Sequence, residues 1–204
     1  MFSGIVETQT QVLDAQKEGG LVRILVARPR EFDDLRVGDS ICVNGVCLTV
    51  EKFDDRTMLF ALGEETLKIT GWNQENLPKT LVNVERSLKL GDRIHGHMVS
   101  GHVDAVGEVV SAQDACGSRI VEIRIPDELK PFVWKKGSLA VNGVSLTVNE
   151  IKDGVVSLCL IPETLARTNL STLQAGMRVN LEADMLARGL VHALKELKEQ
   201  ELSR

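Results

Sequence analysis

Val43-Asn44-Gly45-Val46-Cys47-Leu48-Thr49-Val50 returns 98 residues later as Val141-Asn142-Gly143-Val144-Ser145-Leu146-Thr147-Val148, with seven of the eight positions identical. Working outward, other matches keep the same order and almost the same spacing. Glu65-Thr66-Leu67 recurs as Glu163-Thr164-Leu165, and Thr70 as Thr168, again at an offset of 98. Met1, Ser3, Gly4 and Val6 recur as Met98, Ser100, Gly101 and Val103 at an offset of 97, as does Val82-Asn83-Val84-Glu85 in Val179-Asn180-Leu181-Glu182. This period exceeds the ~20 to 50 residues of a solenoid unit and has the size of a small domain. The 204 residues therefore read as two homologous units, 1–97 and 98–184, followed by a tail, 185–204.

Each unit reads as β. Asn-Gly between two apolar runs signals a two-residue hairpin, because both turn positions tolerate φ > 0. In the first unit the segments Leu21 to Ala27, Ser40 to Val43, Val46 to Lys52, Thr57 to Leu62 and Thr80 to Glu85 are rich in Val, Ile, Leu and Thr. Gly19-Gly20, Pro29, Gly38-Asp39, Asn44-Gly45 and Asp54-Asp55 punctuate them. The second unit repeats the pattern. So many short strands in about 100 residues suit a small closed barrel, which leaves no free edges. The expected fold is mainly β: two tandem six-stranded barrels and a C-terminal α-helix. Glu64 to Thr70 and Glu163 to Asn169 read as short helical caps, with Thr66 and Thr164 as capping side chains or as part of a pocket mouth. In the tail, Leu186, Leu190, Ala193 and Leu197 step by 4, 3 and 4, one stripe of a helix. That stripe serves either packing on its own barrel or a seam between subunits.

The net charge of −5, an aromatic content of 3% and the absence of Tyr argue against a nucleic-acid binder, which needs a basic surface and stacking platforms. No apolar run approaches the ~20 residues of a membrane span, and the N-terminus has neither the basic region nor the apolar stretch of an export signal. Cys42, Cys47, Cys116 and Cys159 form no C-x-x-C pair, so a zinc ribbon or redox motif is not expected. Free thiols fit a reducing cytoplasm. Cys42 and Cys159 lie in apolar stretches and read as small buried hydrophobes.

Three of the four histidines fall within His95-Gly96-His97-Met98-Val99-Ser100-Gly101-His102. A metal site is a weak reading, because no H-E-x-x-H pattern and no interleaved Cys accompany them. A polar linker and a proton-transfer group remain as readings. The hairpin alternation puts Cys47 and Thr49 on one face, and Ser145 and Thr147 on its counterpart. Hydroxyls and a thiol there either satisfy neighbouring backbone or act on a ligand. No P-loop or G-x-G-x-x-G motif occurs, so phosphate binding is not indicated. Two matched polar faces imply two similar ligands.

These marks together resemble the riboflavin synthase alpha-chain family over nearly the whole chain. They are Met1-Phe2-Ser3-Gly4-Ile5-Val6, the paired N-G-x-[CS]-L-T-V elements, Gly96 through Asp104, and Ile161-Pro162-Glu163-Thr164-Leu165. The resemblance implies two lumazine-binding barrels and a homotrimer held by the C-terminal helices. It implies dismutation of two 6,7-dimethyl-8-ribityllumazine molecules to riboflavin and 5-amino-6-(ribitylamino)uracil. No metal and no external cofactor are implied, and each active site lies between barrels of neighbouring subunits. Lumazine synthase, which makes the substrate, is carried as a candidate partner.

Residue by residue, Gly4, Ile5 and Val6 match the family's N-terminal ligand contacts, and Phe2 is expected to lay its ring over the ligand. Ser40, Cys47-Leu48-Thr49 and Ala61-Leu62-Gly63-Glu64-Glu65-Thr66 match the first pocket. Gly101, His102 and Val103, then Lys136, Ser145-Leu146-Thr147 and Ile161-Pro162-Glu163-Thr164-Leu165-Ala166 match the second, and Asp184 matches a family acidic position. Ser145, or a water it positions, is expected to assist addition at ring carbon 7. His102 is the leading proton-transfer group with His97 beside it, and Cys47 and Thr49 orient the partner ring. The alternative is a non-catalytic lumazine or flavin carrier. Such relatives lose polar residues that this chain retains in Ser145, Thr147 and the histidine segment.

Overall fold

The computed structural model describes residues 1–202. β1 (Thr8–Glu18), β2 (Leu21–Ala27), β3 (Ser40–Val43), β4 (Val46–Phe53), β5 (Thr57–Leu62) and β6 (Leu81–Arg86) close one antiparallel barrel in the order β1-β2-β5-β4-β3-β6. β7 (Ala105–Ala115), β8 (Ser118–Arg124), β9 (Ser138–Val141), β10 (Val144–Lys152), β11 (Val155–Leu160) and β12 (Arg178–Ala183) close a second with the same neighbours, β7-β8-β11-β10-β9-β12. The duplication thus extends from residues to strand order.

Alternation builds each core. In β5, Met58, Phe60 and Leu62 point inward, and Leu158 and Leu160 do so in β11. Both β3–β4 and β9–β10 turn at the Asn-Gly pair. Asn44 and Gly45 have φ of 50° and 87°, and Asn142 and Gly143 have 47° and 80°. These are the values a hairpin turn matched to strand twist requires. Register shifts recur at equivalent places, Val12/Asp14 with Val109/Ser111 and Val50/Lys52 with Val148/Glu150. Such bulges bend long strands so that a small sheet can close.

The α-helices are α1 (Glu64–Thr70), α2 (Pro162–Arg167) and α3 (Met185–Leu202), with a 3-10 turn at Asp127–Phe132 between β8 and β9. Two sequence expectations change here. The second cap does not run to Asn169, because Thr168 is extended (φ −124°, ψ 157°) and separates α2 from a 3-10 turn at Asn169–Thr172. Thr66 and Thr164 do not cap either. The N-caps are Gly63 and Ile161, and the carbonyls of Thr66 and Thr164 instead accept from the hydroxyls of Thr70 and Thr168 at 2.7 Å each. In α3, Leu186, Leu190, Leu194 and Leu197 are all half or more exposed, so the stripe is not packed on its own barrel. Arg188 ties the helix down through Asp104 at 2.8 Å. No helix among the described residues is long and apolar enough to cross a membrane.

Candidate functional site

Two matched faces lie on the outer surfaces of the barrels. On β4 the side chains of Cys47 and Thr49 point outward while Leu48 fills the core, and on β10 Ser145 and Thr147 point outward while Leu146 fills the core. Leu62 is also a core side chain. Leu48, Leu62 and Leu146 therefore offer a ligand only their backbone. Ser40 pairs with Thr49. The register Val50↔Phe60, continued by one residue, sets Ala61 beside Thr49, with α1 just beyond.

The repeat supplies two residues that the sequence reading missed. Ser40 and Ala61 have counterparts 98 residues on, Ser138 and Cys159. Ser138 pairs with Thr147, and Cys159 is a half-buried, outward position of β11 between buried Leu158 and Leu160. Cys159 is thus no core thiol, which corrects the sequence reading. Cys42 is a buried thiol as expected, and burial pushes its pKa well above the ordinary value. Lys136 sits in a left-handed turn (φ 69°) that the first barrel fills with Gly38. That conformation costs a lysine some backbone energy.

The two N-terminal segments cross over. Phe2 and Val99 pair antiparallel, with N–H···O distances of 2.8 and 3.0 Å. Beyond that pair each chain segment reaches the opposite barrel. The Gly4 carbonyl accepts from Ser145 N–H at 2.8 Å, and the Gly101 carbonyl accepts from Cys47 N–H at 2.7 Å. Val6 joins the core of the second barrel, and Val103 packs on the core of the first. So Gly4, Ile5 and Val6 run on to the Ser145 face, and Gly101, His102 and Val103 run along the Cys47 face, the reverse of the pocket grouping read from sequence. Only glycine suits the two contact points. Gly4 and Gly101 have φ of 71° and 79°, and a Cβ would lie 2.6 Å from Ser145 Cβ or Cys47 Cβ. Phe2 does not cover a ligand either. It is fully buried among Cys42, Val99 and Ala140 where the segments cross.

The crossing separates the histidines. His97 Nδ1 lies 2.7 Å from Ser145 Oγ, and His97 N–H donates to the Ser3 carbonyl at 3.2 Å. Burial lowers the His97 pKa below its ordinary value, against the charge of Asp184, which raises it. A neutral imidazole can accept the Ser145 proton at Nδ1 in the tautomer that carries its hydrogen on Nε2. Nε2 is buried with no hydrogen-bond partner among the described residues. His102 is exposed on the Cys47 face, and His95 is exposed on the linker. Among the described residues no group of three or more His, Cys, Asp or Glu is placed to hold a metal ion.

Each crossing segment is pinned by a carboxylate. Glu85 accepts from Ser3 N–H, Ser3 Oγ and Gly4 N–H at 2.7, 2.9 and 3.1 Å. Glu182 accepts from Ser100 N–H, Ser100 Oγ and Gly101 N–H at 2.7, 2.6 and 2.9 Å. Burial raises both pKa values, that of Glu85 to about 7; the hydrogen bonds oppose it, and at Glu182 Arg188 opposes it too. A carboxyl whose folded pKa exceeds its ordinary value of 4.5 binds its proton more tightly in the folded state. Stability is therefore lost as pH rises through that window. Wild type should lose ground against Glu85→Gln between pH 5 and pH 8, by an amount of order 3 kcal/mol. Thermal denaturation across that range reads the difference, and a constant gap between the two proteins would refute it.

A cleft of about 860 Å³ under the linker is lined by Asp34, Arg36, Arg86 and Lys89 but by neither Cys47 nor Ser145. Two of its cations are engaged, Arg86 with Glu7 and Asp34 at 2.6 and 2.7 Å and Lys89 with Asp34 at 2.7 Å.

The lumazine binding domain model matches residues 3–87 and 100–184, one copy per barrel. A riboflavin synthase of Photobacterium leiognathi is 36% identical over 196 residues, covering 96% of this chain and 89% of its own. One from Mycobacterium bovis is 39% identical, covering 92% and 95%. Among solved structures, LumP complexed with riboflavin superposes with a TM-score of 0.82 at 25% identity, over 90% of this chain and 99% of that one. A duplicated model on a duplicated barrel, with relatives alike from end to end, leaves one reading of descent: the chain belongs to the lumazine binding domain family and stands among its riboflavin synthases.

Proposed function

We infer that the chain is a riboflavin synthase, a transferase that moves a four-carbon unit between two 6,7-dimethyl-8-ribityllumazine molecules. One becomes riboflavin and the other 5-amino-6-(ribitylamino)uracil, so every atom of the two substrates is accounted for in the two products. The single observation that carries the catalytic reading over a carrier is the Ser145–His97 contact at 2.7 Å. A carrier needs to hold the ring; it has no need of a hydroxyl aimed at a neutral base.

In this reading the Ser145 face takes the donor lumazine. The Ser145 oxygen, or a water it positions, adds to ring carbon 7 while His97 Nδ1 receives the proton, and the Asp184 charge steadies the resulting imidazolium. Lys136 is assigned to the same pocket. The Cys47 face takes the acceptor, oriented by Cys47 and Thr49, and His102 removes a proton from the 7-methyl group. Juxtaposing two heterocycles removes much of the entropic barrier of a two-molecule reaction, up to roughly 7–11 kcal/mol in ideal cases.

Both faces lie on the outside of their barrels, with Thr49, Thr147 and Ile161 exposed, so a second subunit is needed to enclose a ligand pair. We assign the exposed leucine stripe of α3 to a homotrimer seam that brings the first barrel of one subunit against the second barrel of its neighbour. Each barrel then carries one pocket, completed by the segment that crosses from the other unit, and α3 acts as a clasp, in the cytoplasm, where the free thiols stay reduced.

Purified protein given 6,7-dimethyl-8-ribityllumazine alone should form riboflavin at half the lumazine consumed, followed by absorbance and chromatography. Tight binding without riboflavin would establish a carrier. Ending the chain after Asp184 should yield monomers and reduce turnover together, read by light scattering alongside the same assay. A fully active monomer would overturn the shared site.

A further inference from the structure

We propose that Glu85 and Glu182 are positioning residues whose control is crossed: Glu85, in the first barrel, sets the reactive face of the second, and Glu182, in the second, sets that of the first. The proposal rests on the reading of the two faces as the lumazine pockets.

The argument is a chain of short contacts. Glu85 is 4% exposed and Glu182 2%. A carboxylate so buried is tolerated only when donors compensate its lost hydration. Each receives three, all from one Ser-Gly pair. The same glycine then turns its carbonyl to the hairpin of the opposite barrel, Gly4 to Ser145 N–H and Gly101 to Cys47 N–H. Carboxylate, Ser-Gly pair and reactive residue thus form one relay, built twice. On the Ser145 branch the relay also holds the base. Ser3, pinned by Glu85, accepts from His97 N–H at 3.2 Å, and a Cβ on Gly96 would lie 2.2 Å from the Ser3 carbonyl oxygen and 2.8 Å from Ser145 Oγ. The linker therefore rests on the segment that Glu85 fixes. The Cys47 branch differs at its outer end, where Arg188 of α3 lies 3.7 Å from Glu182 and 3.5 Å from Ser100 Oγ.

Glutamine keeps the shape of glutamate but turns one acceptor into a donor, which must face Ser3 N–H and Oγ or Gly4 N–H. Loss of one bond of the three should loosen the Ser-Gly pair and uncover the residue beneath it. A purely structural carboxylate would loosen its own barrel first, or both barrels alike.

The test uses the full chain and iodoacetamide, with each cysteine followed by peptide mapping and exposed Cys116 as the internal reference. Glu182→Gln should speed alkylation of Cys47 about fivefold or more, and Glu85→Gln should leave it within twofold. In a Ser145→Cys background the dependence should invert, with Glu85→Gln speeding modification at position 145 and Glu182→Gln leaving it unchanged. Equal acceleration of both thiols by either variant, or of neither, overturns the proposal. Should a glutamine variant not fold, Ser3→Ala and Ser100→Ala each remove one bond of a relay and carry the same crossed expectation. Labelling needs no ligand, so the crossing can fail while wild type still makes riboflavin. Equally, riboflavin synthesis can fail while the crossing stands.

Discussion

His97→Gln will form riboflavin at least a hundredfold more slowly than wild type while binding 6,7-dimethyl-8-ribityllumazine within a fewfold of its affinity. A positioned base contributes typically 10²- to 10⁴-fold through the transition state, and an interaction made mainly there changes kcat more than KM. Among the described residues His97 hydrogen-bonds to Ser145 Oγ and to no other side chain, so the pair should act as a unit. Ser145→Ala with His97→Gln should be no slower than the worse single variant. Multiplying losses would mean that the two act separately. The same base sets the pH profile. The His97 pKa is lowered by burial, so the acid limb of the turnover profile should have its midpoint below the ordinary imidazole value of 6.5. His102→Gln is the informative comparison. If it is the crippled variant and His97→Gln stays within threefold of wild type, proton transfer belongs to the Cys47 face and the Ser145–His97 contact is not catalytic.

Gly143→Ala will damage the fold far more than a small substitution at an open turn. The two hairpin turns meet back to back. A Cβ on Gly143 would stand 2.9 Å from the Gly45 nitrogen and 3.2 Å from Cys42 Sγ, and φ there is +80°. Neither backbone can retreat cheaply, because Asn83 Nδ2 donates to the Asn142 carbonyl and Asn180 Nδ2 to the Asn44 carbonyl, each at 2.9 Å. Gly117→Ala is the control, with a similar φ of +78° and open space around it; it should cost about 1 kcal/mol of backbone strain alone. Gly143→Ala should cost about 3 kcal/mol or more, a fall in Tm of roughly 6–12 °C for a chain of this size. Equal Tm values for the two variants would show that the turns do not hold the barrels together.

The parts of the fold that were legible in the sequence are those governed by local chemistry. The Asn-Gly turns fix their own geometry, and β2, β3, β5 and α1 begin and end where alternation and turn residues put them. β1 escaped notice because Thr8 to Glu18 is largely polar, with only Val12 and Ala15 buried, and it becomes a strand through partners on both sides. The outward pairs Cys47 with Thr49 and Ser145 with Thr147 were readable from a period of two. Ser138 and Cys159 were equally readable, by adding 98 to Ser40 and Ala61. The crossing was not. It depends on Phe2 meeting Val99 across the chain, and nothing local in either segment says which barrel it will reach. That is why Phe2 was misjudged and the glycine segments were grouped with the wrong halves.

The crossing also bears on ancestry. A protein of a single half could not have finished its face with its own first residues in this arrangement. Two identical copies trading N-termini about a true twofold would have finished both. Gene fusion would then have frozen that exchange into one polypeptide and freed the two faces to diverge. The asymmetries now present, Ser145 against Cys47, Cys159 against Ala61 and Lys136 against Gly38, are the divergence such a fusion would permit.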